Sequence, residues 1–218
     1  MTLRNEILAA IGDATSAIVS DALDKLDLLH QALDPAVRPL WPAARVVGWA
    51  FPILVRADPS TPEKPYDGEM SALDALGPGD VPLFAVEPGL RAAAWGELFS
   101  CGAIGRGARG AVVDGLVRDA RQTESLGFPT FARGLTPLDT YRRSVVSHYG
   151  VEALVAGVRV CPGDLVVGDV DGVVIVPAAV IDNVVTAVQT KRRLENAARD
   201  DLKAGVRIRE VWDRYRVF

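Results

Sequence analysis

The sequence predicts an α/β protein, and three observations carry that expectation. Val- and Ile-rich runs of strand length recur from residue 44 to residue 176, short helical patterns separate several of them, and longer helical patterns occupy both ends. Strands, short helices and a closing meander in that order fit neither a pure Rossmann arrangement nor a helical bundle. The 218 residues are 49% hydrophobic and 24% charged, close to soluble globular averages. A chain of this size buries roughly 70% of its unfolded surface, so a single domain over residues 1–218 is expected. Intrinsic disorder, collagen-like repeats and a disulfide scaffold are excluded.

The first thirty residues read as helix within an N-terminal helical segment over 1–33. Ile7, Leu8, Ile11, Ile18, Val19, Leu23, Leu26 and Leu29 recur at helical spacing. Gly12 and Asp13 interrupt the pattern, and Asp13 or Thr15 could cap a second piece. After a turn over 34–42, ARVVGWAFPILVRA reads as strand, and DPSTPEKPYDG, with its three prolines, reads as an exposed loop. A short helix is expected over Glu69–Leu76, then a turn and the strand within GPGDVPLFAVE. AAAWGELFSCGAIGRGARG reads as a small-residue helix stopped by glycines. AVVDG is a strand, RDARQTESLG a short helix, FPTFARG a strand, and a looser stretch runs to His148. VRVCPGDLVVGDVDGVVIVP supplies two Val-rich strands around Asp-Gly turns, and a C-terminal helical extension covers 178–218.

Charge and patterning narrow the function classes. With 24 Lys plus Arg against 28 Asp plus Glu, the formal charge is −4, a poor balance for neutralising phosphates, so no nucleic-acid partner is expected. No run approaches 18 apolar residues, so no membrane span is expected. The first residues lack a long apolar stretch with a cleavage site, and Cys101 and Cys161 show no metal or redox spacing. A reducing, cytoplasmic setting with free thiols follows as the expectation.

The chemistry-bearing block lies between Trp95 and Asp119. Glu97 falls just inside a helix start, where unpaired amides and the helix dipole favour a carboxylate or phosphate ligand. AVVDG runs through Leu116 and Val117 into adjacent Arg118 and Asp119. Arg118 offers a planar fork of donors suited to a carboxylate, and Asp119 offers hard oxygens suited to Mg²⁺ or Mn²⁺. The same residues also admit an ordinary reading: Glu97 complementing the helix dipole, and Arg118–Asp119 forming a structural ion pair.

The run WGELFSCGAIGRGARGAVVDGLVRDARQTESLGFPTFARG resembles the signature of the RraA-like family, which includes 4-hydroxy-4-methyl-2-oxoglutarate and 4-carboxy-4-hydroxy-2-oxoadipate aldolases. SDALDKL, KPYDGEMSALDALGPGDV, the closing sheet and ENAARDDLKAGVRIREVWDRY resemble the family as well. Glu97 followed after twenty residues by Arg118 and Asp119 meets its acid-x20-Arg-Asp pattern. The resemblance implies a layered β/β/α fold assembled as a homotrimer or hexamer. It implies a divalent-metal-dependent lyase that cleaves a 4-hydroxy-2-oxo acid to pyruvate or decarboxylates oxaloacetate through a pyruvate enolate. Carried over, Arg118 would bind the carboxylate and keto end of a small keto acid, and Asp119 would hold Mg²⁺ or Mn²⁺. Gly96, Glu97, Leu98 and Phe99 would supply backbone donors. Glu97 would also meet the metal through water, and Glu195 of a neighbouring subunit would complete its surroundings. The alternative within the family is a non-catalytic regulator that binds ribonuclease E. A methyltransferase label attached to the family finds no support, since no glycine-rich loop after a first strand suits S-adenosylmethionine.

Other features read more plainly. GAIGRG (102–107) suits small-residue packing and a helix C-cap, and Asp169-Val170-Asp171-Gly172 suits a hairpin turn. His30 and His148 are isolated. Asp114 could support Arg118 or cap the following turn, Trp95 reads as core, and Cys101 as packing. Lys191-Arg192-Arg193 reads as a solvated face with i,i+4 pairs. All four lysines fall in loops or polar helix faces, which argues against a Schiff-base lysine. The distal end of a substrate is expected to meet loops 60–68 and 137–149, where Tyr141, Arg142, Arg143 and His148 could select a dicarboxylate.

Overall fold

The computed structural model describes residues 3–218; residues 1 and 2 of the N-terminal segment lie outside that range. Two helices open it, α1 (Leu3–Ile11) and α2 (Ser16–Asp24). The Thr15 side chain accepts from the Ile18 amide and caps α2. Helix stops at Asp24, so the expected N-terminal helix ends well before residue 33. The chain turns over residues 25–27, with Asp27 in a left-handed conformation, and residues 31–33 run extended along the last strand of the sheet, with the Leu33 amide donating to Val173 O. Pairing with the sheet satisfies backbone groups that helical spacing alone could not.

The sheet contains β1 (Arg38–Pro39), β2 (Val46–Ala57), β3 (Asp80–Val86), β4 (Ala93–Trp95), β5 (Ala111–Val117), β6 (Thr130–Leu135), β7 (Ser144–Tyr149), β10 (Leu165–Asp169) and β11 (Gly172–Val176). A separate hairpin is formed by β8 (Ala153–Val155) and β9 (Val158–Val160). The main path runs β1-β6-β5-β3-β2-β10-β11, with β4 on β5 and β7 on β2. Because residues 31–33 follow β11 and residues 38–39 follow β6, the sheet nearly closes on itself. Its β2-β3-β5-β6 centre is parallel, whereas β10 and β11 are antiparallel. Central strands are buried on both faces and read as continuous apolar runs, which explains their legibility. One core packs inside the sheet around Leu83, Phe131 and Ile175, and a second lies beneath α3 (Asp67–Asp74) and α4 (Glu97–Gly105).

Beyond α5 (Ala120–Ser125), the chain closes with α6 (Ile181–Lys203) and α7 (Ile208–Tyr215). The expected extension over 178–218 is therefore helical but broken, with Gly205 left-handed (φ +89) between the two helices. Helix α6 packs on α1 and α2 through Ile181, Val184 and Val188. Two expectations are corrected here. Ala93–Trp95 is a strand, not the start of a helix, because these residues pair with β5 and are buried. The looser stretch before His148 contains β7, an exposed strand on β2 whose outward face hides the usual alternation. The Asp169–Gly172 segment is the expected hairpin turn between β10 and β11.

Candidate active site

Two parallel strands end side by side and set the site. Trp95 of β4 lies opposite Val117 of β5, and the Arg118 amide donates to Trp95 O at 2.9 Å. Beyond that point each chain turns into a helix: Gly96 leads into α4, and Arg118–Asp119 lead into α5. Ligand crevices form at the carboxyl ends of parallel strands for this topological reason. Trp95 is core as expected, 1% exposed, and packs against Phe84, Phe99 and Phe128 with ring centroids 5.4, 5.9 and 6.0 Å away. Its Nε1 donates to Ser100 Oγ at 2.8 Å, and that hydroxyl donates to Gly96 O at 3.0 Å. The start of α4 is thus pinned to the core.

Arg118, Asp119, Glu97, Gly96, Leu98 and Phe99 all line one groove of about 440 Å³. Asp119 sits in a left-handed conformation (φ 56, ψ 36) as the N-cap of α5, an uncommon backbone state for a residue other than glycine. Its Oδ2 accepts from the Glu97 amide at 3.3 Å and lies 3.4 Å from Arg118 Nε. The Leu98 and Phe99 amides belong to the first turn of α4, which its own helix leaves unpaired. A Cβ on Gly96 would stand 2.8 Å from Asp119 Oδ2, so only glycine fits this close approach. Glu97 is half-buried, and its Oε1 lies 3.5 Å from Cys101 Sγ. Cys101 is exposed rather than packed; desolvation and the Glu97 carboxylate push its thiol up, away from the reactive thiolate.

The groove includes residues that sequence reasoning missed. Asp139 Oδ1 lies 3.2 Å from Arg118 Nη1, while its Oδ2 accepts from the Tyr66 hydroxyl. Burial opposes ionisation of Asp139, yet the hydrogen bonds from Tyr66 and the Thr140 amide, with Arg118 beside them, hold its carboxyl below the ordinary range. Arg118 is therefore clamped between two carboxylates, Asp119 and Asp139. Met70, Gln122 and Thr140 complete the lining. Both segments expected at the distal end, 60–68 and 137–149, do reach the groove, through Tyr66 and through Asp139 and Thr140. Tyr141 and Arg142 line a neighbouring cavity, and His148 is exposed on β7.

Two further expectations are corrected. Asp114 neither supports Arg118 nor caps a turn: its carboxylate pairs with Arg133 and accepts from the Ala156 amide at 2.6 Å. Lys191 is not on a solvated face but 5% exposed, 2.7 Å from Asp21 Oδ2 and 3.6 Å from Glu195 Oε1. A buried lysine therefore exists, but it is ion-paired and does not line the groove. Glu195 is engaged within its own protomer by Lys191 and, at 3.8 Å, by Arg199.

Among the described residues no group of three or more His, Cys, Asp or Glu side chains gathers as a metal cage. A structural zinc site is thus not what the donors suit. Asp119 Oδ1 makes no hydrogen bond among the described residues and its side chain is 38% exposed. One such carboxylate, with waters and substrate oxygens, is a donor set that fits Mg²⁺ or Mn²⁺. No helix among the described residues is long and apolar enough to cross a membrane.

Comparison with known proteins agrees with this architecture. The RraA-like family, described as Aldolase/RraA, matches residues 16–175. A Halalkalibacterium halodurans protein named "Putative 4-hydroxy-4-methyl-2-oxoglutarate aldolase" is 31% identical over 182 residues, covering 84% of this chain and 81% of that one. Streptomyces coelicolor RraAS2, described as an unusual member of the RNase ES inhibitor RraA protein family, superposes with a TM-score of 0.79 at 26% identity. That match covers 89% of this chain and 96% of that one. An uncharacterized Pseudomonas syringae pv. tomato protein shares the fold with a TM-score of 0.87 at 24% identity, over 99% and 96% of the two chains.

Proposed function

The chain belongs to the RraA-like (Aldolase/RraA) family, and from that premise we propose that it is a divalent-metal-dependent lyase releasing pyruvate from a 4-hydroxy-2-oxo acid, with oxaloacetate decarboxylation as a second outcome of the same site. One observation carries this reading: the Arg118 fork, the Asp119 carboxylate and the open first turn of α4 converge on one groove. Arg118 binds the carboxylate of the keto acid as a bidentate partner. The Gly96–Phe99 amides orient the same end. Asp119 would hold Mg²⁺ or Mn²⁺, which supplies Lewis-acid stabilisation of negative charge on the keto oxygen. In cleavage the C3–C4 bond breaks, the electron pair stays on C3 as an enolate, and the 4-hydroxyl loses its proton. Glu97, which has no cationic partner among the described residues, takes that proton at Oε2, directly or through water. Decarboxylation of oxaloacetate leaves the same enolate, with CO₂ departing in place of a carbonyl product. Leu98, 75% exposed beside the site, and Leu135, 61% exposed, support completion of the groove by a neighbouring subunit of a homotrimer or hexamer. Glu195 of that subunit is the proposed additional carboxylate.

The test is Asp119→Ala. The variant should fold, lose pyruvate release from 4-hydroxy-4-methyl-2-oxoglutarate and oxaloacetate, and lose any response to added Mg²⁺. Unchanged turnover would remove the site assignment. A second reading, a regulator that binds a ribonuclease E-type partner, is supported by the likeness to RraAS2. It predicts partner binding that survives Asp119→Ala and no turnover by the unsubstituted protein.

A further inference from the structure

The groove does not end at Tyr66 and Thr140. Both residues also line a second cavity of about 280 Å³, walled by segments 58–69 and 140–146. Two buried polar side chains border it with no partner from another residue. Glu69, in the first turn of α3, is 5% exposed, and its carboxyl has no ion pair and no hydrogen bond to another residue among those described, only its own backbone amide beside it. Burial, with Asp139 nearby, pushes its carboxyl above the ordinary value of 4.5, toward the neutral acid. Ser144 is also 5% exposed, and its Oγ has no hydrogen-bond partner. Buried polar groups are nearly always paired because leaving them unpaired destabilises the fold. Two on one cavity call for a ligand.

The backbone points the same way. Of the six described non-glycine residues with positive φ, Asp119 (φ 56) and Tyr66 (φ 62) line the groove, and Tyr66 and Arg142 (φ 57) line the second cavity. Strain of this kind persists where the surroundings enforce it, and it clusters at ligand sites. The lining also restricts the ligand's chemistry. Glu69 and Ser144 offer the cavity a carboxyl group and a hydroxyl, both able to hydrogen-bond a ligand's hydroxyl groups. The Tyr66 and Tyr141 rings, 6.4 Å apart, offer flat faces. The cations, Lys64 and Arg142, are exposed, so nothing buried would neutralise a carboxylate there.

We propose that this cavity is a subsite for the distal end of the substrate, and that the substrate's chain beyond C4 carries hydroxyl groups, as in a 2-keto-3-deoxy sugar acid. The inference rests on the aldolase reading above. The pyruvate portion lies at Arg118, the chain passes Tyr66 and Thr140, and tail hydroxyls pair with Glu69 and Ser144. The C3–C4 bond breaks as before. The 4-hydroxyl proton leaves, C4 becomes the aldehyde of a hydroxyaldehyde, and C3 takes up a proton to complete pyruvate.

The experiment compares 2-keto-3-deoxygluconate with 4-hydroxy-2-oxopentanoate, whose tail is only a methyl group. Pyruvate release with Mg²⁺ is followed for the unsubstituted protein, Glu69→Met and Ser144→Ala. The expected result is a kcat/KM ratio favouring the sugar acid, falling about tenfold in each variant and mainly through KM, the size of effect left by one unmade hydrogen bond. Glu69→Met should also melt higher than the unsubstituted protein, because a buried carboxyl with no partner from another residue is replaced by a thioether of similar length. A purely structural Glu69 would give the opposite, a lower melting temperature with an unchanged ratio. Turnover of the short substrate with the same ratio in all three proteins overturns the subsite and leaves the aldolase intact. Turnover of neither substrate overturns the subsite, and the aldolase reading falls with it only if 4-hydroxy-4-methyl-2-oxoglutarate and oxaloacetate also release no pyruvate.

Discussion

Gly96→Ala isolates the geometry of the site from its chemistry, since it adds one methyl group and removes no functional atom. The backbone at Gly96 is extended (φ −165, ψ −170), so alanine meets no conformational penalty there. The added Cβ would lie 2.8 Å from Asp119 Oδ2 and 3.2 Å from Arg118 Cγ. Ordinary contact begins near 3.4 Å, so the carboxylate must retreat by about 0.6 Å. That movement breaks its hydrogen bond to the Glu97 amide and its approach to Arg118 Nε, at 3.3 and 3.4 Å. Loss of one such hydrogen bond costs about 1 kcal/mol, or roughly 2–4 °C in melting temperature for a chain of this length. Misplacing binding groups by a sizeable fraction of an ångström costs far more in rate, on the order of 10²-fold. Pyruvate release coupled to lactate dehydrogenase, beside a thermal melt, measures both. A kcat/KM within threefold of the unsubstituted protein would refute the claim that the Arg118–Asp119 arrangement drives the chemistry. A melting temperature lowered by more than about 10 °C would show that Gly96 serves folding instead.

Other expectations follow from the same contacts. Arg118→Lys should lose roughly 10²-fold or more in kcat/KM, because an ammonium cannot span substrate and both flanking carboxylates as the fork does; steady-state kinetics checks this. Borohydride with pyruvate should trap no covalent adduct by mass spectrometry, because buried Lys191 is held by Asp21 and Glu195 outside the groove. Stability should also respond to Glu69. With its folded-state pKa raised above 4.5, the native protein retains a proton that the unfolded chain releases as pH rises past that value. Stability therefore falls with rising pH until Glu69 ionises in the folded state. Urea midpoints from pH 4.5 upward should show this decline, and Glu69→Met should flatten it. Asp139 has the opposite sign: its lowered pKa contributes stability above 3.8 that is lost as pH falls below that value.

Much of the site was legible in the sequence because it is local to two strand-to-helix junctions. Gly96–Phe99 and Arg118–Asp119 each follow a short buried strand, and parallel pairing of β4 with β5 brings them together. The partners from farther along the chain were not legible. Tyr66 and Asp139 sit in polar loops of no distinctive pattern, and only the return of the chain across α3 and β7 places them beside Arg118. Lys191 was misread for a related reason. Its charged neighbours mark a solvated helix, but packing of α6 on α2 buries this one ammonium against Asp21. Strand β7 escaped notice because its exposed outer half carries Ser147, His148 and Tyr149, which break the alternation of a half-buried strand.

The central claim is that a divalent cation and Arg118 together stabilise a pyruvate enolate. Its most direct test is pyruvate release from oxaloacetate and 4-hydroxy-4-methyl-2-oxoglutarate by one purified preparation, first with EDTA and then with Mg²⁺ in excess. The account predicts turnover of at least one substrate that EDTA abolishes and Mg²⁺ restores. Turnover that persists unchanged in EDTA, or no turnover of either substrate by the folded, Mg²⁺-supplied protein, would contradict it.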